Sequence, residues 1–233
     1  MKTKGPLQLA FVYDHRFFAC NGRMYSEGAL TDKTWTRFLE AFDEVTVYGS
    51  IYEKSEEDVR SLNRVDCERV SFRSVPYLTG VADYLRNLFF TNSIFRKELP
   101  HFDAVVVRVP GELSNNAFWV AKKYNIPVGI EVVGCPYDSY RNHGSIYGKI
   151  LAPLAYLRML RITRNSTHTL YVTQDFLQCR YPTRGLTVNA SNVNITVPEE
   201  NHYLSRKSGF RKKEPYILGL SGSAKVRYKG HEE

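Results

Sequence analysis

Long hydrophobic runs are missing from this sequence. Nothing in it approaches the roughly 18 apolar residues of a membrane-spanning helix, and the apolar stretch at 7–13 is too short and too soon interrupted to act as a signal peptide. Cysteine is scarce. Cys20, Cys67, Cys135 and Cys179 lie far apart and form no C-x-x-C, so neither a zinc site nor a disulfide framework is expected, and a reducing, cytoplasmic setting is. Asn165, Asn189 and Asn194 each open an N-x-Ser/Thr triplet, which means little without secretion. Runs of like charge are absent too. The 32 Lys+Arg exceed the 24 Asp+Glu to give a net charge of +8, but the basic residues are scattered. That balance favours an anionic partner, whether a nucleotide-sugar, a lipid surface or a nucleic acid, and the scatter makes the signal a modest one; of the three, a nucleic acid is not the expected partner. No G-x-G-x-x-G follows the first apolar run, so the backbone lacks the glycines that let it approach a dinucleotide's pyrophosphate, which argues against a dinucleotide-dependent oxidoreductase.

What is present is an alternation of short apolar runs with helical patterns. Residues 7–13, 45–48, 69–75, 104–109, 128–133, 169–172 and 186–190 read as strands. Helices are expected at 31–41, with Thr31 as cap and Trp35, Phe38, Leu39 and Phe42 as apolar stripe, and at 81–99, with Leu85, Leu88, Phe89, Ile94 and Phe95 inward. Others are expected at 115–124, 146–164 and 174–181. Pro153 is tolerable only near a helix start or at a kink. Strand alternating with helix predicts an α/β fold, a doubly wound and mainly parallel Rossmann-like sheet with right-handed crossovers, in which 7–13, 104–109 and 128–133 are interior strands.

Ligands in such sheets bind beyond the carboxyl ends of the strands. The segments leaving those ends therefore supply the candidates. Asp14, His15 and Arg16 follow the first strand, in a segment read as a loop to Gly22. Arg108 and Glu112 flank Pro110-Gly111, where an ion pair shaping the turn is expected. Glu131 is the lone charge in the central strand, suited either to acceptor hydroxyls or to a structural pair with an arginine. His143 lies in the polar loop at 134–144, where a general base would belong. All of these, with Pro110, are expected to converge on one cleft.

The segment 201–215 is polar and basic and reads as a linker after a domain at 1–200. Beyond it, 216–233 reads as one more strand and a helix start, too little for a core of its own.

Several residues resemble a known family. Tyr171-Val172-Thr173-Gln174-Asp175-Phe176-Leu177, then Arg180-Tyr181-Pro182 and Ser191-Asn192-Val193, are similar to the end of the amino-terminal domain of family-four glycosyltransferases of the GT-B fold. Gly219-Leu220-Ser221-Gly222, with Lys229-Gly230 beyond, resembles the first strand and helix start of that family's carboxyl-terminal domain. The resemblance runs from about Leu7 to the end and is best from Val128 onward. It implies two Rossmann-like domains facing across a cleft, with the acceptor held by the first and the donor nucleotide by the second. The implied activity is transfer of a sugar from a nucleotide-sugar to a glycan or lipid-linked acceptor, in polysaccharide or glycoconjugate biosynthesis, with no cofactor and no essential metal.

On that resemblance His143 and Asp14 are the candidate catalytic groups, His15, Arg16, Glu131 and Arg108 the acceptor side, and Lys229, Lys225 and Arg227 the donor phosphate side. The sequence departs from the pattern in two places. Asn21-Gly22 stands where the family has a Gly-Gly loop, and Ser223 where it has an arginine. The acidic residues that clamp the donor ribose would lie past Glu233, so the chain is expected to bind acceptor without transferring sugar. The alternative is a catalytically silent module that holds a glycan or a protein. The helix at 146–164, with Arg158, Arg161 and Arg164 near its end, is a candidate for peripheral membrane contact, although Leu151 and Leu160 point to opposite sides of it.

Overall fold

A computed structural model describes residues 5–76 and 81–191, together with Asn201 and Leu204. It contains one nine-stranded sheet. Seven of its strands run parallel: β1 (Gln8–Cys20), β3 (Glu44–Glu53), β5 (Val70–Ser74), β6 (Ala104–Val109), β7 (Val128–Val132), β8 (His168–Tyr171) and β9 (Leu186–Asn189), in the order β5-β3-β1-β6-β7-β8-β9. Two short strands, β2 (Arg23–Ser26) and β4 (Asn63–Arg64), add antiparallel pairing. The order reverses between β1 and β6, which is the switch point of a doubly wound sheet. The three strands expected in the interior are β1, β6 and β7.

Alternation along these strands separates two apolar layers. Val105, Val107 and Val109 of β6 and Ile130 and Val132 of β7 face one layer. It is covered by α3 (Val81–Glu98), α4 (Glu112–Lys123) and α6 (Ile146–Asn165), through Phe95, Phe118, Met159 and Leu160 among others. Leu9 and Phe11 of β1 face the other, where Trp35 is fully buried and donates from Nε1 to the Val65 carbonyl at 2.7 Å. That side is closed by a short 3-10 helix (Asp32–Trp35) running into α1 (Thr36–Leu39). Three smaller helices are also present among the described residues: α2 (Glu56–Val59), α5 (Pro136–Arg141) and α7 (Phe176–Arg180).

Several expectations are corrected. The first strand does not give way to a loop at Asp14. It continues to Cys20, because buried Phe17, Phe18 and Cys20 extend its packed surface. Asn21 (φ 48) and Gly22 (φ 71) then turn the chain into β2, as an Asn-Gly pair does in a two-residue hairpin. The polar segment after β7 holds α5, capped by the Cys135 sulfur, which accepts from the Asp138 amide at 3.4 Å. In α3, Phe89 is 82% exposed and does not face inward. The helix expected from Asn115 starts at Glu112, because Asp14 caps it from another strand. The linker at 201–215 and the segment 216–233, with Lys225, Arg227 and Lys229, lie outside the described residues apart from Asn201 and Leu204.

Candidate functional site

The switch point between β1 and β6 opens on both faces of the sheet. On the α1 side the strand register lines up a row of side chains: Tyr13 beside Arg108, Arg108 beside Glu131, and Glu131 beside Leu170. They floor a cavity of about 630 Å³ that His15, Lys33, Arg37, Val172 and Ser191 also line. Glu131 is almost wholly buried and is held from two sides. Arg37 of α1 donates to its Oε1 at 2.5 Å, and Arg108 Nε stands 3.5 Å from its Oε2. The Arg108 guanidinium lies 5.1 Å from the centre of the Tyr13 ring. Its Nε is buried and makes no hydrogen bond, so the Glu131 carboxylate stands as its charge partner, which a buried cation needs.

His15 stacks flat on Tyr13, with ring centres 5.1 Å apart, and its Nε2 is 2.6 Å from Ser26 Oγ. Burial, reinforced by the positive charge of Arg108, depresses its pKa from 6.5 to about 4. The imidazole is therefore neutral at pH 7 and can accept or donate one hydrogen bond without carrying charge.

On the opposite face a cavity of about 490 Å³ lies between the α4 amino terminus, α5 and α6. Asp14 reaches into its wall as a helix cap. Oδ1 accepts from the Leu113 amide at 2.8 Å, and Oδ2 accepts from the Ser114 amide at 2.9 Å and the Ser114 hydroxyl at 3.0 Å. Burial raises its pKa, while these hydrogen bonds pull the other way. Glu112 pairs with Arg158 of α6 at 2.5 Å. The remaining lining is largely apolar, including Leu151, Leu154, Met159 and Ile162.

The single cleft expected for Asp14, His15, Pro110, Glu131 and His143 is thus two cavities. His15, Arg108 and Glu131 share one; Asp14 and Pro110 share the other. His143 sits on the exposed turn after α5 and lines neither. Arg16 is exposed at the edge of the β1 extension. The ion pair expected between Arg108 and Glu112 does not form, since each has a partner on a different element. The structural pairing foreseen for Glu131 is present, with Arg37 as the stronger partner. Sequence reasoning missed Arg37, because nothing local ties a helix arginine to a carboxylate 94 residues away. It could have found Tyr13, which occupies in β1 the position that Arg108 occupies in β6. Among the described residues no group of three or more His, Cys, Asp or Glu could hold a metal ion, and the four cysteines are free.

Fold and site together define a doubly wound α/β domain with paired cavities at its switch point. The chain is 32% identical over 229 residues to Protein CapJ of Staphylococcus aureus, a match covering 97% of this chain and 55% of that protein. It therefore spans about half the length of that relative. No protein-family model matches. Among solved structures it is similar to MurG of Acinetobacter baumannii, with 12% identity, a TM-score of 0.41, and coverage of 84% of this chain and 47% of that one. It is similar also to a UGT transferase from Siraitia grosvenorii in complex with UDP, with 12% identity, a TM-score of 0.46, and coverage of 86% and 54%. A UDP-N-acetylglucosamine 2-epimerase matches at 14% identity and a TM-score of 0.37, covering 72% and 42%.

Proposed function

We propose that this chain is the acceptor-side domain of a nucleotide-sugar-dependent glycosyltransferase acting on a glycan or lipid-linked acceptor in polysaccharide or glycoconjugate biosynthesis. The observation that carries the reading is Arg108, buried at the switch point against Glu131 and, with it and His15, lining a cavity of about 630 Å³. The resemblance of residues 171–193 to family-four glycosyltransferases supports it, as does a sheet whose topology suits one half of a GT-B enzyme.

In this reading Arg108, His15 and Glu131 hold acceptor oxygens. The arginine supplies charge, the neutral imidazole a directional hydrogen bond, and the carboxylate an acceptor for sugar hydroxyls. The attacking hydroxyl forms the new bond to the anomeric carbon as the bond to the nucleoside diphosphate breaks, its proton passing to the departing phosphate oxygen, and Lys225, Arg227 and Lys229 are proposed to neutralise the departing charge. No metal is required in this scheme. Asp14 is assigned a positioning part, since its oxygens are committed to the α4 terminus. His15, inside the cavity, replaces His143 as the imidazole closest to bound acceptor.

Amide NMR of the 233-residue chain titrated with short neutral and uronic-acid-bearing glycans tests the reading. Shifts are expected around Ala29, Arg108, Glu131 and Val172, with affinity about tenfold lower in Arg108→Met, the worth of a hydrogen bond to a charged group. Shifts confined to the α5–α6 cavity, or equal binding by the variant, would sink it. Transfer from a panel of nucleotide-sugars by a protein that joins this domain to a donor domain separates the enzyme from a silent binding module.

A further inference from the structure

The helix α6 is apolar on two sides, and only one of them is used by the core. Ala152, Met159, Leu160 and Ile162 are buried, whereas Ile146, Tyr147, Ile150, Leu154 and Leu157 are each more than half exposed. At about 100° per residue the exposed set, with Leu151, falls in one arc of about 140°. The sequence around this arc is also one-signed. From Ser139 to Gln174 there is no acidic residue, while Arg141, Lys149, Arg158, Arg161 and Arg164 all fall there. Four of these five are exposed, and among the described residues Arg158 is the one paired with a carboxylate, that of Glu112. Arg141 lies against the Tyr137 ring and Arg161 against the Trp119 ring, contacts that leave their charge in place. A row of exposed aliphatic and tyrosine side chains in a stretch that carries only cations is complementary to an anionic bilayer, apolar within and negative at its surface. No helix among the described residues is long and apolar enough to cross a membrane, so the helix would lie along the surface.

The α5–α6 cavity opens onto this same face, since Leu151 and Leu154 both line the cavity and belong to the exposed arc. Its inner end is polar, with Asn115 and the Glu112–Arg158 pair. We propose that the exposed face of α6 docks the protein on an anionic membrane surface, with the cavity open to the bilayer side. Docking does not depend on sugar transfer. It would, however, deliver the domain to a lipid-linked acceptor if the function proposed above holds.

Co-sedimentation of the whole chain with phosphatidylglycerol-containing vesicles, and with phosphatidylcholine alone, tests the inference without any sugar. Binding is expected to the anionic vesicles, and to be on the order of tenfold weaker or more without the anionic lipid. Ile150→Glu with Leu157→Glu should reduce it at least about tenfold, and so should Lys149→Glu with Arg164→Glu. All four side chains are exposed, so an unchanged far-UV spectrum and melting temperature are expected in the variants. Equal binding by wild type and variants would overturn the inference, as would no binding to anionic vesicles at low salt. A dimer in dilute solution that the Ile150 and Leu157 substitutions dissociate would also overturn it, assigning the face to a second copy of the chain. None of these results would bear on glycosyl transfer.

Discussion

At the scale of single residues the site is governed by what burial does to ionisable groups. His15 has a folded pKa of about 4 against 6.5 when free. Because the folded value is the lower one, the unfolded chain binds the extra proton between pH 6.5 and 4. Stability is therefore full above about pH 6.5, falls as pH drops toward 4, and levels off below it. The loss is on the order of 2–3 kcal/mol. Urea denaturation at stepped pH should show this slope in wild type and lose most of it in His15→Gln. Glu131 poses the complementary case. Removing it leaves Arg108 buried with no counter-charge, so Glu131→Ala should destabilise by about 3–5 kcal/mol. Arg37→Ala, whose side chain is 44% exposed, should cost about 1 kcal/mol. A smaller penalty for Glu131→Ala than for Arg37→Ala would show that the pair is not a structural unit.

At the scale of elements, the join between β1 and α4 organises the switch point. Asp14 stands in the sequence as an isolated acid after an apolar run, and nothing near it signals a helix nearly a hundred residues on. Its two oxygens satisfy the first free amides of α4, the groups that a helix start always leaves over. Asp14→Ala should cost about 1–3 kcal/mol, the range for stranding buried donors. Gly111 belongs to the same join, because a Cβ built there would collide with the Asp14 carboxylate. Gly111→Ala should destabilise by about 1–3 kcal/mol. The two substitutions should be clearly non-additive, since removing the carboxylate makes room for the methyl group. Thermal melts of both single variants and the double variant measure the coupling; strict additivity would contradict the contact. The same element shows why the first strand looks shorter in the sequence than it is. Its apolar alternation resumes at Phe17 after Asp14, His15 and Arg16, and a polar interruption at a bulge looks like a strand end. The register shift with β3 between Val12 and Arg16 is that bulge.

At the scale of the whole molecule, the switch point carries a cavity on each face of the sheet. A Rossmann-like domain that binds a dinucleotide leaves a helix amino terminus free for the pyrophosphate. Here the helix beside the switch point has its amides filled by Asp14, and β1 leads into a hairpin rather than a helix. UDP and GDP should therefore bind this chain at millimolar Kd or weaker, about 4 kcal/mol or less. Micromolar binding in calorimetry would place a donor site in this domain and undo the proposed division. The sequence by itself determined the alternation of strand and helix, and with it the parallel sheet and the strand ends where a site should lie. It did so because apolar periodicity and turn residues are local properties, read over a few positions. It determined also the candidates Arg108, Glu131 and His15, since each lies at or just beyond such an end. Only the tertiary structure decided which of them meet. Pairing register put Tyr13, Arg108 and Glu131 in one row, α1 brought Arg37 to Glu131, and the opposite faces of the sheet separated Asp14 from His15. These are consequences of long-range packing, in which the partner of a side chain is chosen by a strand or helix that its own neighbours do not specify.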